Sequence, residues 1–280
     1  MRSSKTPFKI ALCVTAVFSV ALAVWRSIIL KKYYDPYSQA FDRMAKVPNT
    51  VIIILFFAFA AALIAFAVIY RKTSILSHHP SSGFFPVGAS ALMGIAFVSS
   101  SLVAVIWYGK ELFSDAGKQN TVFKISAAAA VVLGLICAVY FFLGAAQKAN
   151  LAKARKYLSV ALPLWGVAFA FMSYFDHDFI YSDINRHFAN IAAIATLLLL
   201  LAETRSYTEY KPNTSGFASA LAAIVACTVY TVPTLIFTAF GQMSATAITP
   251  FEMTEVAVVV YATSVAIQFI GATGEEQKAI

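Results

Sequence analysis

Eight predominantly apolar runs, nearly all of about 18 residues or more, are separated by short polar clusters. That alternation confines the chain to one kind of fold. A helix needs about 17–25 apolar residues to cross hydrocarbon, and unpaired backbone amides cannot persist in lipid. The runs therefore read as helices over 8–30, 50–70, 85–108, 121–146, 157–175, 185–203, 217–240 and 251–270. The expected fold class is all-α: a polytopic transmembrane bundle of eight spans, one integral membrane domain over 1–280, with both termini cytoplasmic. Charged residues make up 12% of the chain, against about 25% in a soluble domain. A soluble protein with buried helices is excluded on the same grounds.

Lysines and arginines set the expected orientation. With the N-terminus inside, inner segments hold twelve, and outer ones hold nine, including Arg26, Lys31, Lys32 and Arg186. From the fourth loop onward the division is seven against one, which the positive-inside rule favours. Trp25, Tyr33, Tyr34, Trp107, Tyr108, Tyr174 and Phe175 then gather at the outer interface as an aromatic belt. The net charge of +8 does not indicate nucleic acid, because the basic residues sit singly or in small groups at span ends. Lipid is the expected partner, with a second membrane subunit or another copy of the chain as protein partners. Short loops and compact size resemble bacterial inner-membrane proteins, so a cell membrane is the expected location.

Three local features carry alternatives. Arg2, Lys5 and Lys9 precede an apolar run containing Ala21-Leu22-Ala23, a pattern shared with cleaved signal peptides. The run continues through Leu30, which favours an uncleaved first span; cleavage would leave seven. In the longest loop, Asp35 and Pro36 suit the start of an interfacial helix with Tyr37, Phe41 and Met44 on one edge. That helix reads as a membrane-resting connector in preference to a lid. Asp35 and Asn49 match the spacing of Asp176 and Asn190, a faint sign of a four-plus-four repeat over 1–146 and 147–280.

Candidate chemistry lies at the outer ends of spans five to eight. Asp176, His177, Asp178, Tyr181, Asp183, Asn185, Arg186, His187 and Asn190 form the densest polar group. Asp183 is placed to cap the sixth span, with Arg186 and His187 on its face. Tyr230, Thr231, Pro233 and Thr234 make a polar, kinked stretch, and the proline frees a carbonyl. Glu255 sits one turn inside the eighth span, where a carboxylate needs a partner or water. Asp176, Asp183, Arg186, His187, Asn190, Tyr230 and Glu255 are the expected ligand-binding residues of an outer vestibule. The plainer reading is a solvated loop with Asp183 paired to Arg186, and glutamates favoured by a helix dipole.

The weak metal candidates are Asp176, His177, Asp178 and His187, whose spacing matches no established metal motif. No cofactor is expected. Cys13, Cys137 and Cys227 fall in different spans and read as small buried hydrophobes. His78-His79, Glu203 and the basic residues of 147–156 read as inner-face anchors. G-x-x-x-x-G-K-[ST], G-x-S-x-G, H-E-x-x-H and C-x-x-C are all absent. The favoured function is a non-catalytic permease-like protein or membrane subunit. A metal-dependent intramembrane enzyme using the 176–187 cluster, and a sensor or scaffold acting through a partner, are the alternatives.

Overall fold

The computed structural model describes residues 5–35, 40–71, 83–113, 121–147, 151–175, 184–209, 214–241 and 250–275. Helix α1 covers Thr6–Tyr33, α2 Lys46–Ile69, α3 Phe84–Phe113 and α4 Thr121–Ala146. A short α5, Ala152–Leu158, leads into α6, Ala161–Phe175; α7 is Ile184–Glu209, α8 Thr214–Ala239 and α9 Thr254–Glu275. Taken with α5 and α6 as one unit, eight helices are long and apolar enough to cross a membrane.

Six of these close a ring in which α3, α4, α6, α7, α8 and α9 each pack on the next, and α9 returns to α3. Buried aromatics fill its middle: Trp165 stacks on Phe169 and meets Phe97 and Phe251, while Phe141 meets Tyr261. Helices α1 and α2 pack against α8. Helix α8 is thus the hub, buried along most of its length, whereas α2 is mostly exposed. Its buried face carries Ala218, Ala220, Ala223 and Ala226, small side chains that let neighbouring backbones come close.

Helix α1 is divided lengthwise. Phe8, Thr15, Ser19, Leu22, Arg26 and Ile29 lie on its buried stripe, at helical spacing. Ile10, Val14, Val17, Val24 and Ile28 line the opposite, exposed face. Cys13 is also exposed, unlike Cys137 and Cys227, so the expectation of three buried cysteines is corrected for that one. Helix α1 is seated along α8, with Phe8 packed between Phe66, Phe217 and Phe269.

The expected interfacial helix after α1 gives way to a hairpin. Strands β1, Tyr34–Asp35, and β2, Ala40–Phe41, pair antiparallel, with Tyr34 opposite Phe41. Their rings meet edge to face and pack with Leu30 and Phe237, so the loop folds onto the ends of α1 and α8. Asp42 then accepts a hydrogen bond from the Met44 amide and starts a 3-10 turn that runs into α2. An aromatic pair with a nearby apolar floor gives more burial than a helix resting on the surface. Residues 36–39, which hold Pro36 and Tyr37, lie outside the described residues.

Two glycines test the packing. A Cβ on Gly166 would stand 2.6 Å from a Leu197 methyl and 3.3 Å from its Cα, whereas one on Gly88 would meet nothing within 4 Å. Gly166→Leu should therefore separate α6 from α7 and cost about 1–3 kcal/mol, as overpacking does. Gly88→Ala should be neutral or slightly stabilising. Thermal unfolding in detergent compares them, and equal melting temperatures would contradict this packing.

Candidate functional site

The local chemistry begins with a proline. Pro233 lies inside α8 and has no N–H, so the carbonyl four residues earlier, that of Val229, loses its helical partner. Arg26 of α1 takes it: Nη1 donates to the Val229 oxygen at 2.8 Å. The other terminal nitrogen, Nη2, donates to Asn185 Oδ1 at the start of α7. The guanidinium also lies over two rings, 4.2 Å from the centre of Phe188 and 5.2 Å from that of Tyr230. It is 1% exposed. One arginine thereby ties α1, α7 and α8 together.

Tyr230 extends the group to the turn that leads into α9. Its hydroxyl donates to Glu252 Oε2 at 2.8 Å. One turn further on, Glu255 stands in the first turn of α9 at 0% exposure. Neither of its carboxyl oxygens has a hydrogen-bond partner. It lies within electrostatic reach of both Glu252 and Arg26. A fully buried carboxyl without a partner is costly, by about 1–3 kcal/mol even for a neutral group. Cys227 and Thr196 complete the wall between α7 and α8, with sulfur and hydroxyl 3.5 Å apart.

The depth of this centre follows from helix geometry. Tyr230 precedes the last residue of α8 by nine residues, about 14 Å of rise. Helical side chains lean toward the N-terminus, so its hydroxyl points away from that end. Glu252 therefore sits well inside the bundle, and α9 begins below the end of its neighbour. Helices that start at depth present their positive dipole end to the interior, a common setting for ligand sites in transporters.

The residues singled out from sequence divide as follows. Tyr230 and Glu255 lie in the centre. Arg186 is buried and donates to the carbonyls of Ser173 and Tyr174, at 2.5 and 2.6 Å, closing the C-terminus of α6. His187 is exposed and Asn190 half-buried. Asp176, His177, Asp178, Tyr181 and Asp183 lie outside the described residues. Among the described residues, no three His, Cys, Asp or Glu side chains are grouped to hold a metal ion.

Arg26, counted by sequence among the outer basic residues, lies inside the bundle. Its depth had a signal, since Ser27-Ile28-Ile29-Leu30 continues the span for another turn, but nothing local indicated its partners on α7 and α8.

A second buried group lies at the opposite end of α7. Asn185 and Glu203 are eighteen residues apart, about 27 Å along the helix. Glu203 Oε1 accepts from Tyr140 Oη at 2.6 Å and lies 3.4 Å from Arg155 Nη2. Arg155 lies over the Tyr140 ring at 4.6 Å, on ground cleared by Gly144, where a Cβ would come within 2.8 Å of its Cζ. The Ser159 carbonyl, at the junction of α5 and α6, accepts the Leu162 amide at 3.2 Å and also the Thr204 hydroxyl at 2.7 Å. Glu203, expected to be an anchor, is instead 7% exposed and tied to α4 and α5.

Compared with known protein families, curated proteins and solved structures, the chain matches none.

Both groups can be tested by coupling. Arg26→Met should destabilise wild type by about 1–2 kcal/mol more than it destabilises Pro233→Ala, in which an alanine amide re-pairs Val229. Additive losses in the double-mutant cycle would contradict the freed-carbonyl account. At the other end, Glu203→Leu should cost about 3 kcal/mol, because it removes the carboxylate facing a largely enclosed arginine, and the added Arg155→Met should restore part of that loss. Chemical denaturation in mixed micelles reads these values.

Proposed function

We propose that the chain is an integral membrane protein of the permease type, working alone or as the membrane subunit of an assembly. The Arg26, Asn185, Tyr230, Glu252 and Glu255 centre would be its solute-handling site. One observation carries this reading: Glu255 is wholly buried, has no hydrogen-bond partner, and shares its surroundings with a second glutamate and an arginine. A purely structural core has no use for an unpartnered carboxyl. Ionisable groups within spanning segments serve substrate and ion pathways by default. The second group, around Glu203, would close the opposite end while solute occupies the first.

Charge placement supports an orientation with the N-terminus in the cytoplasm and the Glu255 centre nearer the outer face. Arg26, Arg155 and Arg186 all turn into the bundle and so leave the count of topology anchors. From the fourth loop onward six basic residues then remain on the inner side and none on the outer. Exposed Trp25, Trp107 and Tyr174 lie at the outer end in this arrangement, as interfacial aromatics do. A cell membrane, of the bacterial inner-membrane kind, fits this layout.

The test is transport by the purified chain. Proteoliposomes on a solid-supported membrane would be challenged with panels of small amines, carboxylates and zwitterions. At least one class should evoke a current, and Arg26→Met should reduce it on the order of tenfold, equivalent to about 1.4 kcal/mol. Silence across the panels, or an Arg26→Met response equal to wild type, would reject the reading.

A further inference from the structure

We propose that Glu255 is a proton-binding site, holding one exchangeable proton in a centre of two carboxyls and one guanidinium. The inference deepens the permease reading, since it assigns a coupling ion to the same centre.

The argument is one of charge and of ligand number. Among the described residues, the charged side chains acting on Glu255 are Glu252 and Arg26. With both glutamates ionised the three groups carry one net negative charge, and in a low-dielectric interior that charge is expensive. Uptake of one monovalent cation neutralises it. Arg26 directs hydrogen bonds to Val229 and Asn185, and Glu252 accepts from Tyr230, whereas no hydrogen bond reaches either carboxyl oxygen of Glu255. The missing charge therefore belongs on Glu255.

The other groups facing this point do not compete for that role. On α8, Tyr230 is committed to Glu252, and Cys227 lies against Thr196. On α7, Arg186 is turned to the α6 carbonyls, and Glu203 lies at the far end. On α3, Tyr108 meets Phe123 of α4, and Tyr261 of α9 itself meets Phe141.

A proton suits the site better than a metal cation does. Sodium or potassium must exchange its hydration shell for several oxygen ligands. The oxygens named around it are already engaged, Glu252 Oε2 by the Tyr230 hydroxyl and Asn185 Oδ1 by Arg26, and no hydrogen bond reaches either Glu255 oxygen. A proton needs only one carboxylate oxygen: an O–H bond forms on uptake from water and breaks on release to water, with no other bond changed. Because Glu255 is fully enclosed, exchange requires the bundle to open around the start of α9, which links proton movement to conformational change.

The experiment is infrared spectroscopy of the purified full-length chain in a carbonyl-free maltoside detergent, without sodium, in H2O and D2O. At neutral pH wild type should show the absorption of one buried protonated carboxyl, shifted by deuterium. Glu255→Gln should abolish it. Glu252→Gln should abolish it as well, because the remaining carboxylate is then balanced by Arg26. Arg26→Gln should double it. Since Gln resembles a protonated carboxyl in shape, Glu255→Gln should melt within about 2 °C of wild type, which separates loss of the proton from loss of the fold. Three results would overturn the assignment: no such absorption in wild type, persistence in Glu255→Gln, or displacement of the proton by added sodium. Flux without the absorption would remove only this inference; the absorption without flux would remove only the permease reading.

Discussion

A backbone carbonyl released by proline and claimed by an arginine from another helix is the interaction on which the arrangement around α8 depends. Without Pro233 the Val229 oxygen would be satisfied within its own helix, and Arg26 would lose a ligand that fixes its position. With the proline, the helix acquires an internal acceptor that a neighbour must meet, because an unsatisfied carbonyl in an apolar interior costs several kcal/mol. Arg26 can meet it only by entering the bundle. Once inside, the guanidinium needs further acceptors and finds Asn185 and two aromatic faces.

The other end is held by side chains that reach across helices. The Ser159 carbonyl, paired with the Leu162 amide, also receives the Thr204 hydroxyl, and this bond anchors the junction of α5 and α6 to α7. Helix α7 therefore takes part in buried polar ties near both ends, separated by an aromatic and aliphatic middle. Van der Waals packing of small residues along α8 supplies most of the association, since lipid tails compete with apolar side chains on equal terms. The polar ties add register: each donor fits one acceptor, and a slipped helix would strand both.

What could be read in advance divides along physical lines. Helix existence and extent were legible because hydrocarbon thickness and backbone pairing leave few options, and α4 runs from Thr121 to Ala146 as its apolar pattern indicates. Pro233 was legible as the source of a free carbonyl, and Glu255 as a carboxyl in need of a partner. Arg26 was not, because a basic residue near a span end has the same local signature whether it turns to the surface or inward. Glu203 was no more legible, since a carboxylate near a span end has the same local signature whether it faces water or a buried partner. The hairpin at Tyr34 and Phe41 escaped because its stability comes from Leu30 and Phe237, distant in sequence from one another.

The sequence by itself determined a chain of eight helices long and apolar enough to cross a membrane, since that outcome depends on local hydropathy and on backbone groups that must pair within each helix. Only the tertiary structure decided which polar residues face one another. Arg26 and Val229 are 203 residues apart, as are no two groups whose meeting a local pattern could encode. It also decided that Glu255 stands enclosed at depth without a partner, because the level at which α9 begins is set by the Tyr230–Glu252 bond and the helices packed around it.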